Sequence, residues 1–283
     1  MKRQIIAAAT LAIIAGMGGL DVTGHERGRF YDLHKNAVID TRQTVKDLAG
    51  KRIILVGEHH TVESHHQAQL EVIRILNEAG VEVAVGLEMF RSDSQDSLDR
   101  WLNGEMDDGT FQRIYYDNWN YPWPLYKDIF EYARNHEIPL VGLNVPRDIT
   151  RQVSRSGYQS LSDEQRRRLG DVACRVDKEY MDYIRKAYGG HGHGNMNFVY
   201  FCEAQMVWDN AMAVSSLEYL KANPDRVMVI LAGTGHVRKQ AIPYQIRSRS
   251  SVAMAVILPE VSGRIDAKTV DTGDADYIFL DLN

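Results

Sequence analysis

The chain has 283 residues, of which 44% are hydrophobic and 25% are charged, the balance of a globular protein with a sizeable core. The formal net charge of -5 argues against nucleic acid as the main partner, because binding to phosphates needs a basic surface. The sequence shows no internal repeat and no low-complexity tract.

The first 24 residues predict a segment that lies outside the fold. Met1-Lys2-Arg3 is basic and the run from Ile5 to Ala15 is apolar, which is typical of a secretory signal peptide. This run is shorter than the roughly 20 apolar residues of a membrane span. We therefore expect an exported protein, periplasmic or membrane-associated, in which residues 1–24 act as a signal peptide or as an uncleaved N-terminal anchor.

The sequence bears on two covalent modifications, a lipid anchor and a disulfide. Ile14-Ala15-Gly16 is similar to the approach to a lipoprotein cleavage site, but Met17 stands where the acylated cysteine would be. In an oxidising compartment Cys174 and Cys202 could pair, or both could act as small buried hydrophobic residues.

Apolar runs separated by helical patterns predict the fold. Strands that alternate with helices indicate βαβ units, so we expect an α/β fold with a mostly parallel sheet flanked by helices. Residues 25–283 are expected to form one domain, with a smaller helical insert at roughly 148–197 and a second candidate insert at 91–125. The predicted strands are Ile53–Val56, Val81–Leu87, Pro139–Leu143, Val227–Leu231, Ser251–Leu258 and Tyr277–Leu280, and a long helix is predicted at Phe198–Ala222.

Ionisable residues follow three of these strands, each next to a glycine. Glu58 and His60 follow the first strand, Glu88 follows the second, and His236 follows the strand at 227–231. The carboxyl ends of parallel strands lie at one edge of the sheet, where α/β proteins bind ligands. Two carboxylates and two imidazoles suit either a divalent metal (Mn, Co or Zn) or acid/base catalysis on a water molecule. Each residue alone is also consistent with a structural role, such as a helix cap.

Polar side chains on two helices predict a surrounding layer. His65 and Gln69 share one face of the helix that follows the first strand, and His66 lies on a neighbouring face. On the long helix, Gln205 and Asp209 are four residues apart in apolar surroundings and need hydrogen-bond partners. We expect Gln205 and Asp209 to brace the strand ends. We expect the other three to form the next layer around the site, and their alternative is a hydrogen-bonded helix start that binds no ligand.

The ordered set of motifs resembles the ChaN family, the haem-binding branch of the ChaN/Tiki superfamily, over roughly residues 35–260. The resemblance implies an iron-regulated protein that faces the surface or the periplasm, with a parallel sheet and a smaller helical domain. It also implies haem held in a homodimer, with a tyrosine on the iron and basic residues near the propionates. The motifs are Gly57-Glu58-His59-His60, His65-His66-Gln67-Ala68-Gln69, Gly86-Leu87-Glu88-Met89-Phe90, Asn144-Val145-Pro146-Arg147, Cys202 to Ala213 and Gly233-Thr234-Gly235-His236.

No motif assigns the iron-binding tyrosine to a position. The candidates lie beside a glycine- and histidine-rich stretch, and the alternative for that stretch is a mobile surface loop. The aromatic residues from Tyr115 to Tyr126 are interpreted as packing rather than as a porphyrin platform. The haem candidates are Tyr180, Tyr183, Tyr188, His191 and His193.

The wider superfamily implies a second function. Tiki-type members are metal-dependent proteases with Gly-x-x-His motifs, and erythromycin esterases are distant relatives. Gly57 to His60 and Gly233 to His236 match that motif. The first hypothesis is therefore an exported haem-binding protein of haem or iron acquisition. The alternative is a hydrolase that uses Glu58, Glu88 and the two histidines on a metal-bound water.

Overall fold

The computed structural model describes residues 29–169, 178–187 and 197–280. Its strands are β1 (Arg29–Asp32), β2 (Ala37–Ile39), β3 (Ile53–Glu58), β4 (Val83–Arg91), β5 (Leu140–Asn144), β6 (Val227–Gly233), β7 (Met254–Pro259) and β8 (Tyr277–Leu280). Its helices are α1 (Thr41–Leu48), α2 (Glu63–Glu78), α3 (Gln95–Leu102), α4 (Asp108–Asn118), α5 (Trp123–Asn135), α6 (Arg147–Ser156), α7 (Asp163–Leu169), α8 (Lys178–Ala187), α9 (Phe198–Ala222), α10 (Thr234–Val237) and α11 (Ile242–Arg247).

The strands of the described residues form one mixed sheet in the order β2-β1-β8-β7-β3-β6-β4-β5. The six strands from β8 to β5 are parallel to one another, and β1 is antiparallel to both β2 and β8. The expected α/β fold with a mostly parallel sheet is therefore confirmed. Strands β3, β6 and β4, which carry the predicted site, are consecutive in the middle of the sheet.

Both faces of the central strands are buried, which explains their continuous apolar sequences. On β3, Ile54 and Val56 pack into the core under α2, α4 and α5, whereas Ile53 and Leu55 pack into the core under α9 and α11. Helix α9 begins at Phe198 and ends at Ala222, as predicted. A strand covered on both faces leaves only its ends open to a ligand.

The outer backbone edge of the edge strand β5 is hydrogen-bonded by a side chain of α3. The Gln95 side-chain amide donates to the carbonyl of Leu140 at 2.8 Å and accepts from the Gly142 amide at 2.9 Å. This pairing satisfies backbone groups that an open sheet edge would expose. The Trp101 ring of α3 belongs to the same core cluster as the Phe130 ring of α5.

Several predicted strand boundaries were wrong. Strands β3 and β6 each end two residues later than predicted, at Glu58 and Gly233, β4 begins two residues later, at Val83, and β5 is shifted by one residue, to Leu140–Asn144. Strand β4 continues to Arg91, so Glu88 lies inside the strand and not at its end, because β5 pairs with β4 as far as Arg91 through a register shift. Strand β7 begins at Met254 and not at Ser251. Glu88 is nevertheless level with the end of β3, since Leu87 pairs with Leu231 and Gly57 pairs with Ala232.

The helices between β5 and β6 pack on α9. Val153 of α6 and Leu169 of α7 share a cluster with α9, and Tyr180 and Ile184 of α8 share another cluster with Cys202. Over the three described ranges, no helix is both long enough and apolar enough to cross a membrane.

Candidate functional site

The ionisable residues predicted from the sequence come together at the carboxyl edge of the sheet. Glu58 and Gly233 are the last residues of the paired strands β3 and β6, and Glu88 lies on β4 on the other side of β6. The short helix α10 then carries His236 directly after β6. We call Glu58, His60, Glu88, Gly233 and His236 the strand-end site.

Glu58 is the centre of a buried hydrogen-bond network. Its Oε1 accepts from His60 Nδ1 at 2.7 Å, and its Oε2 accepts from His66 Nδ1 at 2.8 Å. The Tyr126 hydroxyl lies 2.9 Å and 3.0 Å from the two oxygens and donates to this carboxylate. Burial opposes ionisation, but the hydrogen bonds from the two histidines outweigh it and lower the pKa of Glu58 to about 2.

His236 is the centre of a second buried network. Its Nδ1 donates to Asp209 Oδ1 at 2.6 Å, and the Tyr180 hydroxyl donates to Asp209 Oδ2 at 2.7 Å. His236 Nε2 lies 3.7 Å from Glu88 Oε1. Burial favours the neutral imidazole, but the carboxylates of Glu88 and Asp209 outweigh it and raise the pKa of His236 to about 9. The two neighbouring carboxylates therefore favour the protonated imidazole, although burial raises the pKa of Asp209 as well.

The two networks meet at Gly233, where the missing side chain leaves room for the His60 ring. The Gly233 amide donates to Glu88 Oε2 at 2.7 Å. A Cβ at Gly233 would lie 3.1 Å from His60 Cε1, 3.4 Å from His60 Nε2 and 3.8 Å from Glu88 Oε2. Any larger residue at this position would therefore push the His60 ring away from the end of β6.

His60 is the member of the site that is most open to solvent, with 25% of its side chain exposed. Its ring lies 5.0 Å from the Trp119 ring and 4.7 Å from the Tyr121 ring. Burial lowers the pKa of His60, but the hydrogen bond to Glu58 and the charge of Glu88 outweigh burial, so the pKa is raised. An imidazole held by a carboxylate at Nδ1 can exchange a proton at Nε2.

The residues predicted to surround the site have different contacts. His66 touches Glu58 directly, whereas His65 Nδ1 accepts from the His59 amide at 2.8 Å and holds the loop after β3. Gln69 Nε2 donates to the Val56 carbonyl at 3.1 Å. Asp209 bonds to His236, but the buried Oε1 of Gln205 has no hydrogen-bond partner in the described part of the chain.

Two of the haem candidates lie within the described residues, and the hydroxyl group of each donates a hydrogen bond. Tyr180 donates to Asp209, and Tyr183 donates to the Gly235 carbonyl. Burial raises the pKa of Tyr183, which opposes the tyrosinate form that binds iron. In this arrangement neither phenol fits an iron ligand. Tyr188, His191 and His193 lie outside the described residues, as does Cys174, while Cys202 is buried.

The strand-end site has fewer free metal-ligand atoms than the sequence indicates. Both oxygens of Glu58 already accept hydrogen bonds, so this carboxylate does not fit as a ligand. Within the described ranges no group of three or more His, Cys, Asp or Glu side chains is arranged to hold an ion. His60 Nε2 and Glu88 Oε2 both lie near Gly233, and His236 Nε2 lies 3.7 Å from Glu88 Oε1.

Two tyrosines of this site were not predicted as functional from the sequence. Tyr126 of α5 reaches Glu58, and Tyr121 of the loop before α5 covers His60. Both occur in an aromatic stretch that we interpreted as packing, because no local spacing separates a tyrosine that reaches a carboxylate from one that only fills the core.

The architecture is that of an α/β protein with paired acid/base side chains at the carboxyl edge of a mostly parallel sheet. The family model for haem-binding uptake, Tiki superfamily, ChaN, matches residues 44–246, well over half of the chain. The chain therefore belongs to this family. Among curated proteins, none matches the chain.

Solved structures share the fold. A structure of ChaN of Campylobacter jejuni with cofacially bound haem has a TM-score of 0.70 at 20% identity, and covers 89% of this chain and 95% of that chain. The type III effector HopBA1 has a TM-score of 0.50 at 13% identity, and covers 85% of this chain and 92% of that chain. At these identities the likeness concerns the fold alone.

Proposed function

We propose that the chain is an exported haem-binding protein of haem or iron acquisition, with haem as its cargo. The observation that carries this proposal is the match of the haem-binding family model over residues 44–246. The basic and apolar residues before position 24 support export, with membrane association only through that segment. A homodimer is part of the proposal.

The proposed haem site is the helical insert around α8. Tyr188, His191 and His193 are candidates to bind the iron or the propionates. Tyr180 and Tyr183 can reach an iron only if they give up their hydrogen bonds to Asp209 and to the Gly235 carbonyl.

Haemin titration tests this proposal. The purified chain is expected to shift the Soret band of haemin, and one tyrosine variant among Tyr180→Phe, Tyr183→Phe and Tyr188→Phe should lose that shift. Tyr244→Phe is the matched control, since Tyr244 is 53% exposed on α11. A wild-type chain that leaves the haemin spectrum unchanged would contradict haem binding.

A second candidate function is hydrolysis at the strand-end site. The specific observation is that His60 Nε2 and Glu88 Oε2 both lie near Gly233, and that His236 Nε2 lies 3.7 Å from Glu88 Oε1, so a water molecule bound by His60 would lie close to the other two side chains. We propose that His60 takes a proton from this water and that the cationic His236 gives a proton to the leaving group. His60, Glu88 and His236 would hold a divalent Mn, Co or Zn ion only after their side chains move, and such an ion would supply Lewis-acid polarisation of the water.

Hydrolysis is tested with nitrophenyl esters and a casein substrate, each with added Mn, Co or Zn and with chelator. Glu88→Gln and His236→Asn are expected to lower kcat/KM by at least about 10²-fold, because each removes a proton-transfer or orienting group. Glu105→Gln, at an exposed loop position, is the control. The proposal fails if Glu88→Gln and the wild-type chain have equal rates. Metal analysis of the same proteins measures whether the hydrolysis rate increases with the amount of bound Mn, Co or Zn.

A further inference from the structure

A cavity of about 520 Å³ lies between α11 and the first half of β7. Met254 of β7 pairs with Ile53, the first residue of β3, so this cavity lies toward the amino ends of the parallel strands and away from the strand-end site. Pro243 and Arg247, four residues apart on α11, line one side, and Met254 and Val256, two residues apart on β7, line another. Its volume is in the range of sites that bind small molecules. We call it the α11 cavity.

The side of the α11 cavity that β7 forms is apolar. The Val256 side chain is buried in the core under α9 and α11. The side chains of Met254 and Val252 pack against the same core but stay partly exposed. Displacing water from such a surface favours the binding of a hydrocarbon group. The cavity therefore suits a molecule with an apolar body.

Both oxygens of Asp276, the carboxylate that lines the α11 cavity, are already engaged. Its Oδ1 accepts from Lys239 Nζ at 2.6 Å and lies 2.8 Å from His34 Nε2. Its Oδ2 accepts from the Val256 amide at 2.8 Å. Lys239 Nζ also donates to the Thr272 carbonyl at 2.7 Å. Asp276 and Lys239 therefore balance each other's charge.

Arg247 adds a positive charge to the α11 cavity that no carboxylate balances. Its Nη2 donates to the Lys239 carbonyl at 2.6 Å, and its guanidinium forms no salt bridge within the described ranges. A guanidinium has five N–H donors in a planar fork, so most of them stay available. With Lys239 and Arg247 against Asp276, the lining of the cavity has an excess of one positive charge.

Two serines in the turn after α11 add hydrogen-bond donors to the lining. Ser251 is exposed, and neither its amide nor its hydroxyl makes a hydrogen bond to the described part of the chain. Ser250 Oγ accepts from the Val252 amide at 3.3 Å and keeps its own proton to donate. A guanidinium and two hydroxyls are donors that bind a carboxylate.

We infer that the α11 cavity binds a small organic carboxylate with an apolar tail. The carboxylate accepts two parallel N–H bonds from Arg247 and a further hydrogen bond from Ser251. The tail lies on Met254 and Val256. The excess positive charge selects an anion over a cation of the same shape, and the apolar side selects a tailed carboxylate over acetate. This site is independent of haem binding and of hydrolysis at the strand-end site.

Titration of the full chain with octanoate, followed by NMR of ¹³C-labelled methionine methyl groups, tests the inference. The Met254 signal, assigned through Met254→Leu, is expected to shift with a Kd of about 1–10 mM or tighter, the affinity that a ligand of this size can reach. Arg247→Ala should weaken binding by about 10- to 100-fold, because a charged hydrogen-bonded pair is lost. Arg247→Lys keeps the charge without the planar fork and should lie between the two.

Arg113→Ala is the matched control, since Arg113 is an exposed arginine on α4, which packs on the other face of the sheet. It should bind octanoate as the wild type does, whereas acetate and octylammonium should bind the wild type at least about tenfold more weakly. A wild-type Met254 signal that octanoate does not shift overturns the site. Equal affinities of Arg247→Ala and Arg113→Ala for octanoate overturn the role of the guanidinium, as does wild-type affinity in Arg247→Lys if Arg247→Ala does not fold. Equal affinities for octylammonium and octanoate overturn the selection of an anion.

Discussion

Glu58→Gln is expected to lower the free energy of unfolding by about 3 kcal/mol at pH 7. The carboxylate accepts hydrogen bonds from His60, His66 and Tyr126, and all of these bonds are buried. The fall of its pKa from 4.5 to about 2 corresponds to about 3 kcal/mol in favour of the charged form in the folded state. The amide has nearly the same shape, so the loss reports the charge and not a cavity.

The effect of Glu58→Gln should depend on pH in a defined window. A carboxylate with a lowered pKa stabilises the folded state fully above its unfolded value of 4.5, and this stabilisation is lost as pH falls toward about 2. Urea unfolding of the wild type and the variant should therefore differ by about 3 kcal/mol at pH 7 and converge near pH 2. Glu105→Gln, which changes an exposed carboxylate, should track the wild type. A difference that stays constant from pH 7 to pH 3 would contradict this explanation.

Asp209→Asn is expected to lower the free energy of unfolding by about 3–5 kcal/mol at pH 7, because it leaves the buried imidazolium of His236 without its closest counter-charge. Asp209 holds His236 Nδ1 on one oxygen and the Tyr180 hydroxyl on the other, so its loss also loosens the contact between α8 and α9. Glu88 at 3.7 Å is then the nearest remaining carboxylate of the strand-end site.

The stability contributed by the His236 network changes with pH in the direction opposite to that contributed by Glu58. A histidine with a raised pKa stabilises the folded state fully below 6.5, and this stabilisation is lost as pH rises through about 9. The wild type should therefore lose stability between pH 6.5 and 9, and Asp209→Asn should lose less over the same interval. Asp225→Asn, in an exposed turn, is the control. If the free energy of unfolding fell by the same amount between pH 6.5 and 9 in the wild type and in Asp209→Asn, Asp209 would not be the cause of the raised pKa of His236.

Haem binding, the function of the ChaN family, does not explain the buried networks of the strand-end site. A haem carrier has no evident use for two buried carboxylate–histidine networks at the sheet edge, yet each network costs desolvation of its charges. The haemin titration probes α8 and the ester assay probes Gly233, but Tyr180 and Tyr183 connect the two regions, so their variants should be measured in both assays.

The central sheet and the meeting of its polar ends are predictable from the amino-acid sequence. Runs such as 53–56 and 227–231 are apolar because both faces of a parallel strand are covered, and residues that follow such strands meet at one edge whatever their separation in the chain. The apolar runs and the residues after them therefore suffice to predict that Glu58, Glu88 and His236 come together. Helix α9 is also predictable, because Asn223-Pro224 ends a long helical pattern.

The contacts between individual side chains depend instead on how the helices pack on the sheet. Whether His65 or His66 reaches Glu58 is set by the rotation of α2 about its axis, since neighbouring residues of a helix point about 100° apart. Likewise Tyr126 reaches Glu58 because α5 packs across α2, and Asp209 reaches His236 because α9 lies beside the end of β6. Packing between distant segments sets these rotations and crossings, and no local pattern in the sequence records them.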